Sequence, residues 1–204
     1  MLSGRTGWQK IARRIRVPAG FIVAAAFLWL ASPTWTTMAE SLVLVIPGLW
    51  LRAYASGYVR KNAELATTGP YAHTRNPLYL GSMLIAFGFA GASGSWIIAL
   101  VLAILFAVIY IPTIQSEETY LRSHFANFDD YARAVPRLLP RVTPARLGSP
   151  EASAAEDRGR FSPALYWQHR EYNSLMGAAA IYFALAIRLA AEQHIIHARL
   201  PWQS

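Results

Sequence analysis

Residues 69–81 place turn-forming residues, aromatic rings and charge directly before an apolar run. Gly69 and Pro70 predict a turn, and Asn76 with Pro77 predicts a helix that begins with proline in an early position. The exposed backbone amides at such a helix N-terminus favour anionic groups. The chemistry that this loop predicts is therefore the binding of a carboxylate or a phosphate.

The side chains around the predicted helix start are the candidate ligand contacts. They are Tyr71, His73, Arg75 and Tyr79. An alternative is that Arg75 and His73 contact lipid headgroups while the two tyrosines belong to an interfacial aromatic belt. Gly81 opens a small-residue stripe with Gly88 and Ala92, which indicates either close helix packing or the close approach of a flat ligand.

A pair of acids follows a later apolar segment. Glu117 and Glu118 lie at the two edges of a helical-period stripe formed by Ile114, Leu121, Phe125 and Phe128. A carboxylate beside a buried stripe at a membrane costs free energy unless it is paired, so acids in this position indicate function. The alternative for Glu118 is an i,i+4 pair with Arg122, worth only a few tenths of a kcal/mol.

Two further segments carry candidate site residues. Beyond Tyr131, Arg137 lies between two prolines, and an arginine on such a rigid backbone is suited to clamp a carboxylate or phosphate. Residues 166–173 combine aromatic and charged side chains, most of which indicate interfacial anchoring. Glu171 is the candidate site residue in that segment.

The composition predicts that membrane helices position these residues. The chain has 204 residues, of which 54% are hydrophobic and only 15% are charged. It has no cysteine, which excludes disulfides, thiol catalysis and thiolate metal sites, and we predict no metal site. The net charge of +8 is spread between apolar segments, so membrane lipids rather than nucleic acid are the expected partner.

Five apolar segments predict an all-α, polytopic membrane protein of a single domain with a cytoplasmic cap of helices and loops. They run roughly over residues 17–31, 39–58, 78–90, 96–114 and 175–191. The third and fourth are joined by a short Gly- and Ser-containing turn, which predicts a helical hairpin. Residues 142–160 have the composition of a flexible cytoplasmic connection.

The distribution of basic residues predicts the orientation of these segments. Of the 19 lysines and arginines, 17 fall on one side of the predicted membrane. An excess of positive charge marks the cytoplasmic side, so the N-terminus is predicted to be cytoplasmic and the C-terminus external. The polar segments 69–77, 115–141 and 166–173 then emerge on the same face, where they can build one pocket.

In combination, these motifs resemble the isoprenylcysteine carboxyl methyltransferase and phospholipid methyltransferase superfamily. The resemblance covers roughly residues 40–141 and rests on Pro70, Tyr71, Arg75, Asn76, Pro77, Tyr79, Gly81, Glu117, Glu118, Leu121, Phe125, Tyr131, Val135, Pro136, Arg137 and Pro140. The chain departs from the pattern at Ala126, where glycine is frequent. Asn76 stands where the carboxyl methyltransferase branch has histidine, and the glycine-any-glycine signature of the phospholipid branch is absent.

The resemblance implies an S-adenosylmethionine-dependent enzyme whose pocket lies at the cytosolic face of a membrane, the inner membrane in a bacterium. The implied acceptor is lipid-like or isoprenylcysteine-like and carries a carboxylate or an amine. The implied cofactor contacts are Gly69, Pro70, Tyr71, His73, Arg75, Asn76, Pro77, Tyr79, Gly81, Glu117, Glu118 and Tyr131. Arg75, Glu117 and Arg137 are the candidate catalytic residues, and Arg137 and Glu171 are the candidate acceptor contacts.

Two alternatives stay open. Membrane sterol and steroid reductases share a similar arginine-containing loop and a similar closing Val-Pro-Arg segment, so NADPH-dependent reduction of a lipid double bond is an enzymatic alternative, although this chain is short for that class. A non-enzymatic membrane scaffold is the other, but it leaves the acid pair and the rigid arginine loop without a reason.

Overall fold

The computed structural model describes residues 24–60, 64–145 and 160–199, with side chains described up to residue 193. Within these ranges all regular secondary structure is helical, as the sequence predicts. The α-helices are α1 (residues 24–30), α2 (Trp35–Ser56), α3 (Pro77–Ala92), α4 (Trp96–His124), α5 (Phe128–Ala134), α6 (Pro163–Gln168) and α7 (Tyr172–Arg199). A short 3₁₀ turn, Gly69–Ala72, precedes α3.

Three of the described helices are long and apolar enough to cross a membrane: α2, α4 and residues Tyr172–Gln193 of α7. These match three of the five predicted spans. Helix α3 has 16 residues and is about 24 Å long, which is short of the roughly 30 Å hydrocarbon core. In the predicted first span, residues 17–23 lie outside the described part of the chain, as do residues 146–159 of the predicted flexible connection.

Helices α2 and α3 pack closely because glycines face each other. A Cβ atom added at Gly48 would lie 2.8 Å from the Gly81 carbonyl oxygen, and one at Gly88 would lie 2.4 Å from Val45 Cγ2. Lipid tails are as apolar as the helices, so association in a membrane depends on such close backbone contact. The small-residue stripe on α3 is therefore a helix-packing surface.

The third helix of the bundle, α7, packs against this pair further along its length. Val45 of α2, Phe89 of α3 and Ala178 of α7 form one buried apolar cluster. The hydroxyl groups of Ser41 and Tyr182 lie 2.7 Å apart beside it. The outer faces of the helices are apolar and exposed, with Val108 at 65% and Phe183 at 69% of their maximal accessibility, as expected of surfaces in contact with lipid.

Helix α4 carries the acid pair beyond the apolar region. Its regular hydrogen bonding is interrupted by a π-helical turn, Phe106–Tyr110. Pro112 follows this turn, lacks an N–H group and clashes with the carbonyl four residues earlier, which accounts for the widened backbone. After α4, the rings of Phe128 and Tyr131 and the side chain of Val135 form the core of the predicted cap.

We predict that Gly48→Ala lowers the free energy of unfolding by about 1–3 kcal/mol, although alanine favours a helix by about 1 kcal/mol over glycine. The new methyl group must displace the backbone of α3, because it meets a carbonyl oxygen. The matched control is Gly177→Ala on α7, where an added Cβ has no neighbour within 4 Å. Thermal unfolding in detergent measures both variants, and equal melting temperatures for the two would contradict the packing interpretation.

Candidate functional site

The loop before α3 is paired along its backbone with the segment that follows α5. The amide of Arg75 donates to the Pro136 carbonyl at 2.9 Å, and the amide of Arg141 donates to the His73 carbonyl at 3.0 Å. The ring nitrogen Nδ1 of His73 donates in return to the Arg141 carbonyl at 2.8 Å. His73 therefore holds the two segments in register.

Two buried polar side chains strengthen this pairing. Asn76 Nδ2 donates to the Arg137 carbonyl at 2.8 Å, and Thr74 Oγ1 donates to the Leu138 carbonyl at 3.0 Å. Gly69 has a φ of +57° and lies against the ring of Tyr58, whose Cζ would be 2.5 Å from an added Cβ. Only glycine adopts this backbone conformation at such a contact without strain.

Glu118 of α4 is the buried charge at which the two segments meet. Its side chain is only 7% exposed, and it lies 3.3 Å from Arg75 Nη1 and 2.7 Å from Arg137 Nη2. One arginine comes from each segment, so a single carboxylate joins both of them to α4. The alternative pair with Arg122 is not formed, because Arg122 contacts Asp129 at 2.7 Å instead.

A cavity of about 620 Å³ opens beside this ion-pair cluster. Eight of the predicted site residues line it: Tyr71, Arg75, Asn76, Pro77, Tyr79, Glu117, Tyr131 and Glu171. The other predicted residues lie outside its lining and support the structure around it. They are Gly69, Pro70, His73, Gly81, Glu118 and Arg137.

The charges in and beside the cavity are paired with one exception. Glu64 lies 3.2 Å from Arg60, Glu171 lies 2.9 Å from Arg52, and Glu118 has its two arginines. Glu117 accepts a hydrogen bond from the Tyr79 hydroxyl at 2.8 Å and, among the described residues, has no cationic partner. Glu117 is therefore an acid without a direct cationic partner in a described wall that is balanced as a whole, with three arginines and three glutamates.

The aromatic character of the wall was only partly evident from the sequence. Tyr71, Tyr79 and Tyr131 are accompanied by Tyr110, Tyr120 and Phe125. The last three come from α4 and the residue after it, where their spacing resembles that of any amphipathic helix. Apart from Phe125, which belongs to the family resemblance, no signal in the sequence distinguishes them from lipid-facing or packing residues.

Arg52 is the most important wall residue that the sequence analysis missed. In the sequence it is one of the 17 basic residues whose distribution predicts the orientation. Its guanidinium donates to Glu171 and to Ser82 Oγ, which also lines the cavity. The signal was present, because a charged residue within a predicted apolar span marks a functional or paired site.

Two buried tyrosines of the cavity wall, Tyr71 and Tyr131, keep their protons and do not act as bases. Burial raises the pKa of Tyr71 and of Tyr131 well above the usual tyrosine value. The Tyr131 hydroxyl donates to the Tyr71 carbonyl at 2.9 Å. Both hydroxyl groups therefore stay protonated at neutral pH.

Comparison with known proteins places this geometry in context. A family model described as phospholipid methyltransferase matches residues 21–127, about half of the chain. The chain is also 26% identical over 152 residues to a protein-S-isoprenylcysteine O-methyltransferase of Schizosaccharomyces pombe, covering 70% of this chain and 62% of that protein. No solved structure matches the chain.

Two bacterial relatives are named for metal resistance. A nickel-cobalt-cadmium resistance protein of Alcaligenes xylosoxydans xylosoxydans is 37% identical over 116 residues, covering 56% of this chain and 54% of the relative. A cobalt-zinc-cadmium resistance protein of Cupriavidus metallidurans is 40% identical over 95 residues, covering 47% and 43%. The chain thus spans about half the length of these curated relatives.

The ion-pair cluster predicts that Glu118 contributes more to the free energy of unfolding than its neighbour Glu117. Glu118→Gln leaves two arginines without their carboxylate, and we expect it to lower the free energy of unfolding by about 2–3 kcal/mol, less than for a fully buried pair because Arg137 is half exposed. Glu117→Gln, its matched control, should stay within about 0.5 kcal/mol of the parent protein. Denaturant unfolding measures both, and a Glu118→Gln variant as stable as Glu117→Gln would contradict the cluster's role.

The buried tyrosines predict a loss of stability at alkaline pH. Because folding raises the pKa of Tyr131, the stabilisation is fully present below the unfolded tyrosine pKa of about 10 and is lost as the pH rises beyond it. Tyr131→Phe should therefore make the melting temperature fall less steeply between pH 10 and 12. An unchanged slope in this variant would be the opposing result.

Proposed function

The chain belongs to the phospholipid methyltransferase family, and from this premise we propose that it transfers a methyl group from S-adenosylmethionine to an apolar acceptor at the cytoplasmic face of a bacterial inner membrane. The single observation that carries the proposal is Glu117, an acid without a cationic partner in the wall of an aromatic cavity. An accessible carboxylate beside aromatic rings favours the binding of a cationic ligand.

The described residues fit this cofactor. The cavity volume of about 620 Å³ is within the range of small-molecule sites. Arg75 lines the cavity, and its Nε is buried without a hydrogen-bond partner among the described residues. A buried donor without a partner costs about 1–3 kcal/mol, and a ligand carboxylate at Arg75 would remove that cost.

The proposed roles follow from charge and shape. Arg75 would hold the carboxylate of the methyl donor, the aromatic side chains would hold its adenosine, and Glu117 would face its cationic sulfur. When bound, S-adenosylmethionine supplies a methyl group on positively charged sulfur. A bond forms between the acceptor's nucleophilic atom and the methyl carbon while the carbon–sulfur bond breaks. The electron pair of the broken bond stays on sulfur. The chain contributes alignment and proximity, which can supply much of the rate.

The charge pattern favours an amine as the acceptor group. Arg137, a candidate acceptor contact, does not line the cavity, and Glu118 occupies its guanidinium. A carboxylate acceptor would need a cation of its own, but Arg52 and Arg60 are paired with Glu171 and Glu64, and Arg75 is the proposed contact of the methyl donor's carboxylate. An amine can instead give its proton to Glu117.

The same pattern argues against the reductase alternative. NADPH carries several phosphate groups, which require cations or helix N-termini for their binding. Each arginine in the described cavity wall is already paired with a glutamate. The described wall has three arginines and three glutamates, so beyond the N-terminus of α3 it offers a polyanion no excess of positive charge.

The names of the two bacterial relatives suggest a physiological setting. Both are named for resistance to divalent metals, and we propose that methylation of a membrane component serves such a resistance here. Within the described residues, no group of three or more His, Cys, Asp or Glu side chains could hold a metal ion.

We predict that Glu117→Gln weakens the binding of S-adenosylmethionine about fivefold to tenfold, as expected for the loss of one partly solvated charge interaction. The demethylated product, S-adenosylhomocysteine, lacks the positive sulfur, so its affinity should change less than twofold. Calorimetric titration of the full chain in lipid nanodiscs measures both affinities, with NADPH titrated in parallel.

The matched control is Asp130→Asn, which removes an acid of the cap that does not line the cavity. It should leave both affinities unchanged. Equal losses for the two ligands in Glu117→Gln would show that this residue does not face the positive sulfur, and binding of NADPH alone would overturn the methyltransferase proposal.

A further inference from the structure

The N-terminal turn of α7 has little apolar anchoring. No residue from Tyr172 to Gly177 is buried, and Leu175 and Met176 are more than half exposed. An added Cβ at Gly177 would have no neighbour within 4 Å, and the first buried residue of the helix is Ala178. Polar contacts must therefore hold the beginning of this helix against the bundle.

Those contacts converge on one arginine of α2. Arg52 Nη2 donates to both carboxylate oxygens of Glu171, at 2.9 and 3.0 Å, and its Nε lies 3.3 Å from Ser174 Oγ. Its Nη1 donates to Ser82 Oγ of α3 at 2.5 Å. One guanidinium thus joins α2 and α3 to the start of α7.

The backbone around Glu171 is set for this contact. Arg170 has a φ of 54°, a left-handed conformation that a non-glycine residue keeps only when its surroundings enforce it. His169 Nδ1 donates to the Ser56 carbonyl at 3.1 Å. These two residues turn the chain so that the Glu171 carboxylate points towards α2.

The position of Arg52 also depends on the glycine contact between α2 and α3. A Cβ added at Gly81 would lie 2.7 Å from Arg52 Cγ. Gly81 therefore leaves room for the arginine side chain between the two helices. This accounts for a residue that was expected to contact the cofactor.

Among residues 160–193, Glu171 alone lines the cavity, and Arg52 and Ser82 line it from the other side. We propose that Arg52 and Glu171 are positioning residues, whose ion pair fixes the start of α7 against α2 and α3 and thereby completes the cavity wall. This inference rests on the proposed function, since it takes the cavity ligand to be the methyl donor. Both oxygens of Glu171 accept hydrogen bonds from Arg52, and on this ground the proposal gives Glu171 a role through the ion pair rather than as an acid, a base or an acceptor contact.

The test compares two carboxylate-to-amide changes on the same helix, Glu171→Gln and Glu192→Gln. Glu192 pairs with Arg188 at the far end of α7. The chain has no cysteine, so nitroxide labels can be placed selectively at Ile104→Cys and Met176→Cys, two exposed positions on α4 and α7. Pulsed electron resonance then gives the distance distribution between the helices, and calorimetry gives the affinity for S-adenosylhomocysteine.

We expect Glu171→Gln to broaden the distance distribution and to weaken S-adenosylhomocysteine binding at least fivefold, whereas Glu192→Gln changes neither. The double variant Arg52→Glu with Glu171→Arg exchanges the two charges. It should narrow the distance distribution again and recover part of the affinity. If Glu171 contacted the ligand directly, this exchange would not recover the affinity.

Weaker binding with an unchanged distance distribution would overturn the positioning role, and so would unchanged binding and distances in Glu171→Gln. If the parent chain does not bind S-adenosylhomocysteine at all, the proposed function fails. The distance distributions of the same variants would still decide whether the ion pair positions α7.

Discussion

The buried carboxylate of Glu118 is the constraint on which the rest of the site depends. Two positively charged side chains from different segments share it, and the regular structure within these two segments is limited to the 3₁₀ turn Gly69–Ala72. A buried ion pair adds little net stability compared with apolar packing, because both charges lose their hydration. It does penalise every arrangement in which a charge stays buried without its partner, so it selects one register of the loop against the segment after α5.

That register determines what reaches the cavity. With Arg75 held by Glu118, the helix start at Pro77 is fixed, and Tyr79 then meets Glu117 on the neighbouring face of α4. Adjacent acids on one helix thus have different roles. Glu118 joins two segments through its ion pairs with Arg75 and Arg137, whereas Glu117 has no cationic partner among the described residues. Glu117 is exposed at the cavity wall, so its carboxylate stays accessible to a ligand.

The sequence predicted the segments of this site better than their partners. Turn formers, helix starts and acids beside apolar stripes each have a local signature. Three parts of the site were therefore recognisable: the loop at residues 69–81, the Glu117–Glu118 pair, and Arg137 between its two flanking prolines. Which acid pairs with which arginine depends on distances between segments far apart in the chain. For this reason the sequence does not identify Arg52 as a wall residue, allows a Glu118–Arg122 pair that does not form, and predicts Arg137 in the pocket although it does not line the cavity.

The central claim is that the cavity serves methyl transfer. The most direct test is to incubate the purified full chain in nanodiscs with methyl-tritiated S-adenosylmethionine and a total bacterial lipid extract, and to count the label that enters the organic phase. The account predicts time-dependent labelling that S-adenosylhomocysteine suppresses and that Glu117→Gln reduces. Labelling no higher than in protein-free nanodiscs, from a chain that binds the methyl donor, would contradict transfer to a lipid acceptor.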